Sequence, residues 1–139
     1  MVNRKKFRFE GDVSMKISAY FKTAKGSGVL ATADGSGRVN VAIYAVPHVM
    51  DEETIAFLMA DRLTHQNLQS NPHAAYLFME EEEKYKGTRL YLTKIREEKD
   101  SKILDSIRRK EYPDLKGKEY LVYFRVDKIL PLIGTGPES

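Results

Sequence analysis

The segment Asp61-Arg62-Leu63-Thr64-His65-Gln66-Asn67 gathers side chains able to grip an anion. It follows the apolar run Thr54 to Met59 (TIAFLM) and opens a short helical segment, Arg62 to Ser70, that Asn71-Pro72 stops. Where a strand runs into the first turn of a helix, free backbone N–H groups point forward and the helix dipole favours negative charge. Arg62 adds a fixed positive charge with several donors, Thr64 a hydroxyl and His65 an imidazole. Together they make a phosphate site. Unlike a P-loop it has no glycine run, so it suits a terminal phosphate docked from one side. A plainer reading also fits, with Thr64 as an ordinary helix N-cap and Arg62 as a surface charge.

Other chemistry is scarce. The chain has no cysteine, which excludes disulfides, thiolate zinc sites, iron–sulfur clusters and a cysteine nucleophile. No Ser/His/Asp order or His/Glu metal spacing occurs, and His48, His65 and His73 are scattered. No catalytic residue and no metal ligand is therefore assigned. The run Glu80 to Glu83 reads as a solvated loop.

With 139 residues, 42% hydrophobic and 31% charged, the chain reads as a single globular domain over 1–139. It is too small to enclose a large ligand easily, which points such a ligand to a subunit interface. No apolar stretch approaches the ~20 residues of a membrane span. The basic N-terminus lacks an apolar segment behind it, so the expectation is a cytoplasmic protein. Net charge is +3, and residues 1–30 carry seven Lys/Arg against Glu10 and Asp12. Residues 1–11 form a basic arm that fits a solvated tail more simply than a nucleic-acid contact.

These elements must position the site. Val13, Ile17, Tyr20, Phe21 and Ala24 share one helical face, with Asp12 or Ser14 as cap and Gly26 as stop. Strands are expected at Gly28 to Ala33, Val39 to Val46 and Thr54 to Met59, joined by the turns Asp34-Gly35-Ser36-Gly37 and Asp51-Glu52-Glu53. After the short helix come strands at Ala74 to Met79 and Thr88 to Arg96. A helix capped by Asp100 or Ser101 then carries Ile103, Leu104 and Ile107, before a sixth strand at Tyr120 to Val126. Residues 128–139 read as an irregular tail. Six mostly antiparallel strands in so short a chain expose edges unless they close into a small barrel.

The run from Gly28 to Phe78 resembles the FMN-binding split β-barrels of the pyridoxamine 5'-phosphate oxidase-like superfamily. The matching residues are Leu30-Ala31-Thr32, Asp34-Gly35, Gly37 and Asn40-Val41, then Thr64, Asn67-Leu68, Asn71-Pro72 and Ala74. The likeness covers roughly residues 13 to 130, and its specificity lies in the order and spacing of individually weak motifs. It implies a mainly β (α+β) fold, a six-stranded antiparallel Greek-key split barrel with a few short helices. It also implies a homodimer with FMN in the cleft between subunits. The phosphate would be held by the segment matching Arg62, Thr64, His65 and Asn67. The ring edge would be held by backbone groups of Val41, Ala42, Ile43, Tyr44, Leu58 and Met59. Two departures remove positive charge: Leu63 stands where the family often has Lys, and Ala42 where the oxidases carry Arg.

A flavin carries its own reactivity, so an absent catalytic triad is expected. The implied function is a flavin-dependent oxidoreductase acting on a small substrate. A flavin carrier or electron-transfer protein, or a split barrel holding haem or a deazaflavin, are the alternatives. The segment Ile129 to Pro137 has no Arg or His, unlike the basic substrate segment of true pyridoxamine 5'-phosphate oxidases, so oxidation of that substrate is not expected.

Overall fold

A computed structural model describes residues 16–111 and 117–135. Its elements run α1 (Ile17–Thr23), β1 (Gly26–Ala33), β2 (Val39–Ile43), β3 (His48–Asp51), β4 (Thr54–Met59), α2 (Leu63–Ser70), β5 (His73–Glu80), β6 (Gly87–Glu98), α3 (Lys102–Glu111) and β7 (Tyr120–Pro131). The strands form one antiparallel sheet in the order β2-β1-β5-β6-β7-β4-β3.

Among the described residues seven strands replace the expected six, and the sheet they form is not closed by hydrogen bonds. The added strand, β3, pairs His48 with Ala56 and Val49 with Ile55 through a hairpin at Glu52-Glu53. At four residues, with His and Asp at its ends, it carries too little alternation to read as a strand. β2 stops at Ile43 rather than Val46. Beyond it the Tyr76 hydroxyl donates to the carbonyls of Tyr44 (3.2 Å) and Ala45 (2.8 Å), so these groups satisfy no ladder. Residues 44–47 thus cross from one sheet edge, β2, to the other, β3.

The supposed tail is partly strand. β7 continues to Pro131, pairing Lys128 with Tyr91 and Pro131 with Thr88. The Arg89 guanidinium then holds the carbonyls of Pro131 and Gly134. Residues 136–139 lie outside the described residues, as do Asp12, Val13, Ser14 and the basic arm. Gly26 opens β1 instead of ending α1, whose C-cap is Ala24. A Cβ at Gly26 would collide with the Met79 carbonyl across the ladder, so glycine there permits close strand pairing. Helix α3 begins as expected, with the Ser101 hydroxyl accepting from the Leu104 N–H at 2.9 Å.

β6 and β7 are twelve residues each, and their register shifts between Tyr91 and Leu92 and again between Lys94 and Arg96. Such irregularities bend paired strands and let a sheet curl. Inside the curl lie Leu30, Phe57, Tyr76, Phe78, Leu90, Phe124 and Ile129, covered at one end by Ile17 and Phe21 of α1. The rings meet edge to face, Phe21 on Phe78 at 5.5 Å and Phe57 on Phe124 at 6.0 Å. β4 is apolar from Ile55 to Met59 because both its faces are covered. Ile55, Phe57 and Met59 enter this core, while Ala56 and Leu58 pack with Leu104, Leu121 and Tyr123 in a second cluster. That second cluster fixes β4 from behind and so fixes the start of α2.

Candidate functional site

β2, β4 and the start of α2 enclose a cleft of about 470 Å³. Its lining includes Val41, Ala42, Ile43, Tyr44, Leu58, Met59, Arg62 and Thr64, together with Asn40, Ala60 and Leu63. Eight of the ten residues singled out in the sequence are therefore brought together, from segments some twenty residues apart. His65 and Asn67 are not in the lining.

The local sequence explains the arrangement. The tight turn after β1 is built by Asp34, whose carboxylate accepts from Ser36 N and Arg38 N, both at 2.9 Å. Those backbone donors, joined by the Ser36 hydroxyl, hold the Asp34 carboxyl below its ordinary range. The turn sends β2 back along β1, pairing Leu30 with Ala42 and Thr32 with Asn40. β2 then shows Val39, Val41 and Ile43 to the outside at 66 to 84% exposure, while Asn40 and Ala42 are half-buried. An edge strand with its apolar side chains outward is incomplete as a free surface.

At the cleft's polar end Asn40 Nδ2 donates to Thr64 Oγ1 at 3.4 Å. Burial pushes the Tyr44 phenol upward, against the opposing Thr64 hydroxyl and Arg62 charge, so it remains an O–H at neutral pH. Arg62 occupies the N-cap of α2 without making a side-chain cap bond, and the first turn has no acidic residue. The N–H groups there face no competing carboxylate on the helix itself.

The other two residues work behind the cleft. Asn67 Nδ2 donates to Thr32 Oγ1 at 3.1 Å and both are buried, so Asn67 ties α2 to β1. His65 stacks on Tyr120 at 4.0 Å between ring centroids. Its Nδ1 lies 3.0 Å from Asp61 Oδ1 and its Nε2 3.0 Å from Glu97 Oε1. Glu97 also accepts from Lys94 and Gln69. Burial raises the Glu97 carboxyl, but these bonds together outweigh it and leave it below its ordinary range. The Thr-x-x-Asn spacing thus divides its duties, Thr64 toward the cleft and Asn67 toward the core. Of the lining residues not singled out as site residues, Asn40 was visible as part of the Asn-Val pair, and its spacing from Ala42 puts it on the same face. Leu63 was marked only as standing where the family often has Lys, and Ala60 carried no signal beyond adjacency.

A separate hollow of about 420 Å³ near Tyr20, Lys25, Glu80 and Lys86 has mixed charge. There Glu80, the last residue of β5, accepts from Tyr20 at 2.5 Å, while Glu81 to Glu83 are exposed. Among the described residues no three His, Cys, Asp or Glu side chains are placed to hold a metal, and no helix is long and apolar enough to cross a membrane.

No family model matches the sequence, and no curated protein does. Solved structures do match the fold. An FMN-binding protein from Syntrophomonas wolfei subsp. wolfei aligns with a TM-score of 0.71 at 21% identity, over 86% of this chain and 85% of that one. A protein described as a putative pyridoxamine 5'-phosphate oxidase, from Lactobacillus delbrueckii, aligns at 0.66 and 18% identity, over 93% and 97%. This chain has the fold of the FMN-binding, pyridoxamine 5'-phosphate oxidase-like split-barrel proteins. HutZ, the haem storage protein of Vibrio cholerae, shares it at 0.61 and 20% identity, over 88% and 96%, and an F420 reductase is also among the matches. The split-barrel likeness is one of architecture, and the bound groups named for these proteins differ.

Proposed function

We propose that this chain binds FMN in the β2–β4–α2 cleft and serves as a cytoplasmic flavin-dependent oxidoreductase for a small substrate, as a homodimer. The observation that carries the proposal is the cleft lining. One end is polar, with Arg62, Thr64 and an uncapped helical turn. The rest is lined mostly by apolar side chains and bordered by the edge of β2, which is unpaired among the described residues. Its volume lies within the ~300–1,000 Å³ usual for small-molecule sites.

The residues present fit the group. Arg62, Thr64 and the first-turn N–H groups would take the phosphate. The outer backbone edge of β2 at Val41 to Ile43 offers directional donors and acceptors to a heteroaromatic ring, and Leu58 and Met59 form the floor. His65 and Asn67 would act indirectly, by holding α2 against β1, β6 and β7. Bound there, FMN would supply hydride and electron transfer on its own ring. The chain's task is to orient it and exclude water. Haem fits less well, because none of His48, His65 and His73 lines the cleft and, among the described residues, Met59 is the one soft ligand in its lining.

The dimer is supported by the outer face of β2, β1, β5 and β6. A groove of about 330 Å³ there is lined by Val29, Ala31, Val41, Ala75, Leu77 and Tyr91 and is almost wholly apolar. Val41 borders both the groove and the cleft, so a second copy on this face would also cover the cleft.

The test is an absorption spectrum of the purified protein with added FMN, repeated with Arg62→Ala/Thr64→Ala. Protein-bound bands at ~370 and ~450 nm that weaken in the double variant are expected. A wild type that ignores FMN refutes the reading. Bleaching by reduced nicotinamide that depends on a second substrate separates an oxidoreductase from a carrier.

A further inference from the structure

Among the described residues the cleft has one fixed cation at its polar end, Arg62. Leu63 and Ala42 both line the cleft and contribute no charge. A phosphate there needs other donors, and neutral side chains of the lining supply them. Asn40 donates to Thr64, and Tyr44 lines the same cleft as both. The Tyr44 O–H adds a further neutral donor.

Tyr44 is held in place with unusual care. Its N–H donates to the Gly28 carbonyl at 3.0 Å, and its own carbonyl accepts from the Tyr76 hydroxyl. Its ring packs edge to face on Phe57 at 5.5 Å. A Cβ at Gly28 would overlap the Tyr76 phenol and come within 2.6 Å of the Tyr44 carbonyl oxygen. Gly28 and Tyr76 are thus positioning residues for Tyr44.

We propose that the side chains of Tyr44 and Asn40, with Thr64 and Arg62, recognise the ligand's phosphate, neutral donors standing in for cations at Leu63 and Ala42. This rests on the flavin reading and deepens it. Backbone contacts to the ring need nothing from the Tyr44 hydroxyl, so removing it touches phosphate recognition alone. A charge-assisted hydrogen bond of this kind is worth tenfold or more in affinity.

The experiment compares FMN with riboflavin, which lacks the phosphate, by fluorescence titration of wild type, Tyr44→Phe and Asn40→Ala. Melting curves check that each variant folds. The wild type is expected to prefer FMN. Tyr44→Phe should lose about tenfold in FMN affinity and leave riboflavin within about twofold. Equal loss for both ligands would mean a packing role, and no loss for either would mean no role; each overturns the proposal. A wild type that binds FMN and riboflavin alike overturns it too, while the flavin reading survives. Inorganic phosphate, followed through the Asn40 side-chain and Leu63 to His65 amide resonances, separates the two claims. Shifts seen in wild type and abolished in Tyr44→Phe, with no flavin binding, would keep the anion site and remove the flavin. No response to either ligand removes both.

Discussion

At the scale of residues, the cleft depends on side chains that divide into those facing the ligand space and those bracing it from behind. Leu63 is 53% exposed at the cleft margin, so a lysine there would extend into the space without disturbing the core. Leu63→Lys should raise FMN affinity by about threefold, the size of a partly screened charge near a helix start. An unchanged dissociation constant at low salt would mean the phosphate lies elsewhere. The brace behaves differently. Glu97 has a carboxyl lowered in the folded state. A depressed folded pKa contributes stability above the unfolded value, and that contribution is lost as pH falls through the folded value. Urea midpoints of the wild type should therefore drop on acidification below the ordinary carboxylate range more steeply than those of Glu97→Gln. Equal slopes would remove Glu97 from the brace. The sequence made Arg62 and Thr64 legible because a guanidinium and a hydroxyl at a strand-to-helix junction have a chemical purpose. It gave no means of turning His65 away from the cleft, since that orientation is set by Glu97 and Tyr120, more than thirty and fifty residues distant.

At the scale of elements, strand alternation and turn chemistry located β1, β4, β5 and β6 and helices α2 and α3 to within a few residues. β2 was placed correctly but drawn too long, because Tyr44-Ala45-Val46 has strand composition, whereas the carbonyls of Tyr44 and Ala45 accept from the Tyr76 hydroxyl. β3 escaped notice because four residues cannot establish a period. The continuation of β7 beyond Val126 was hidden by the polar pair Asp127-Lys128, where the register with β6 shifts. The crossover from β2 to β3 is the joint on which the cleft turns. Tyr76→Phe removes the donor to two carbonyls and should cost about 1–3 kcal/mol in urea unfolding. Gly28→Ala should cost more, and adding Tyr76→Phe to it should not restore stability, because the Tyr44 carbonyl still lies 2.6 Å from the new Cβ. Restoration by the double variant would show that the phenol alone sets the glycine requirement.

At the scale of the whole molecule, the expectation of a closed six-stranded barrel gives way to a curled seven-stranded sheet whose edges, β2 and β3, are bridged by residues 44–47. Barrel closure was inferred from the need to hide edges, but the β2 edge instead borders the cleft and the apolar outer groove. A dimer with its ligand at the interface would meet the same need. Leu77 lines the groove and not the cleft, so Leu77→Glu should give a monomer in sedimentation and weaken FMN binding without touching a ligand contact. A wild type already monomeric at micromolar concentration would contradict the interface. The central claim is that FMN lies between β2, β4 and α2. Its most direct test is an amide chemical-shift map of the wild-type protein titrated with FMN. Shifts concentrated at Val41 to Tyr44 and Leu58 to Thr64 are the expected result. Shifts gathered instead around Tyr20, Lys25 and Glu80, or none at saturating FMN, would contradict it.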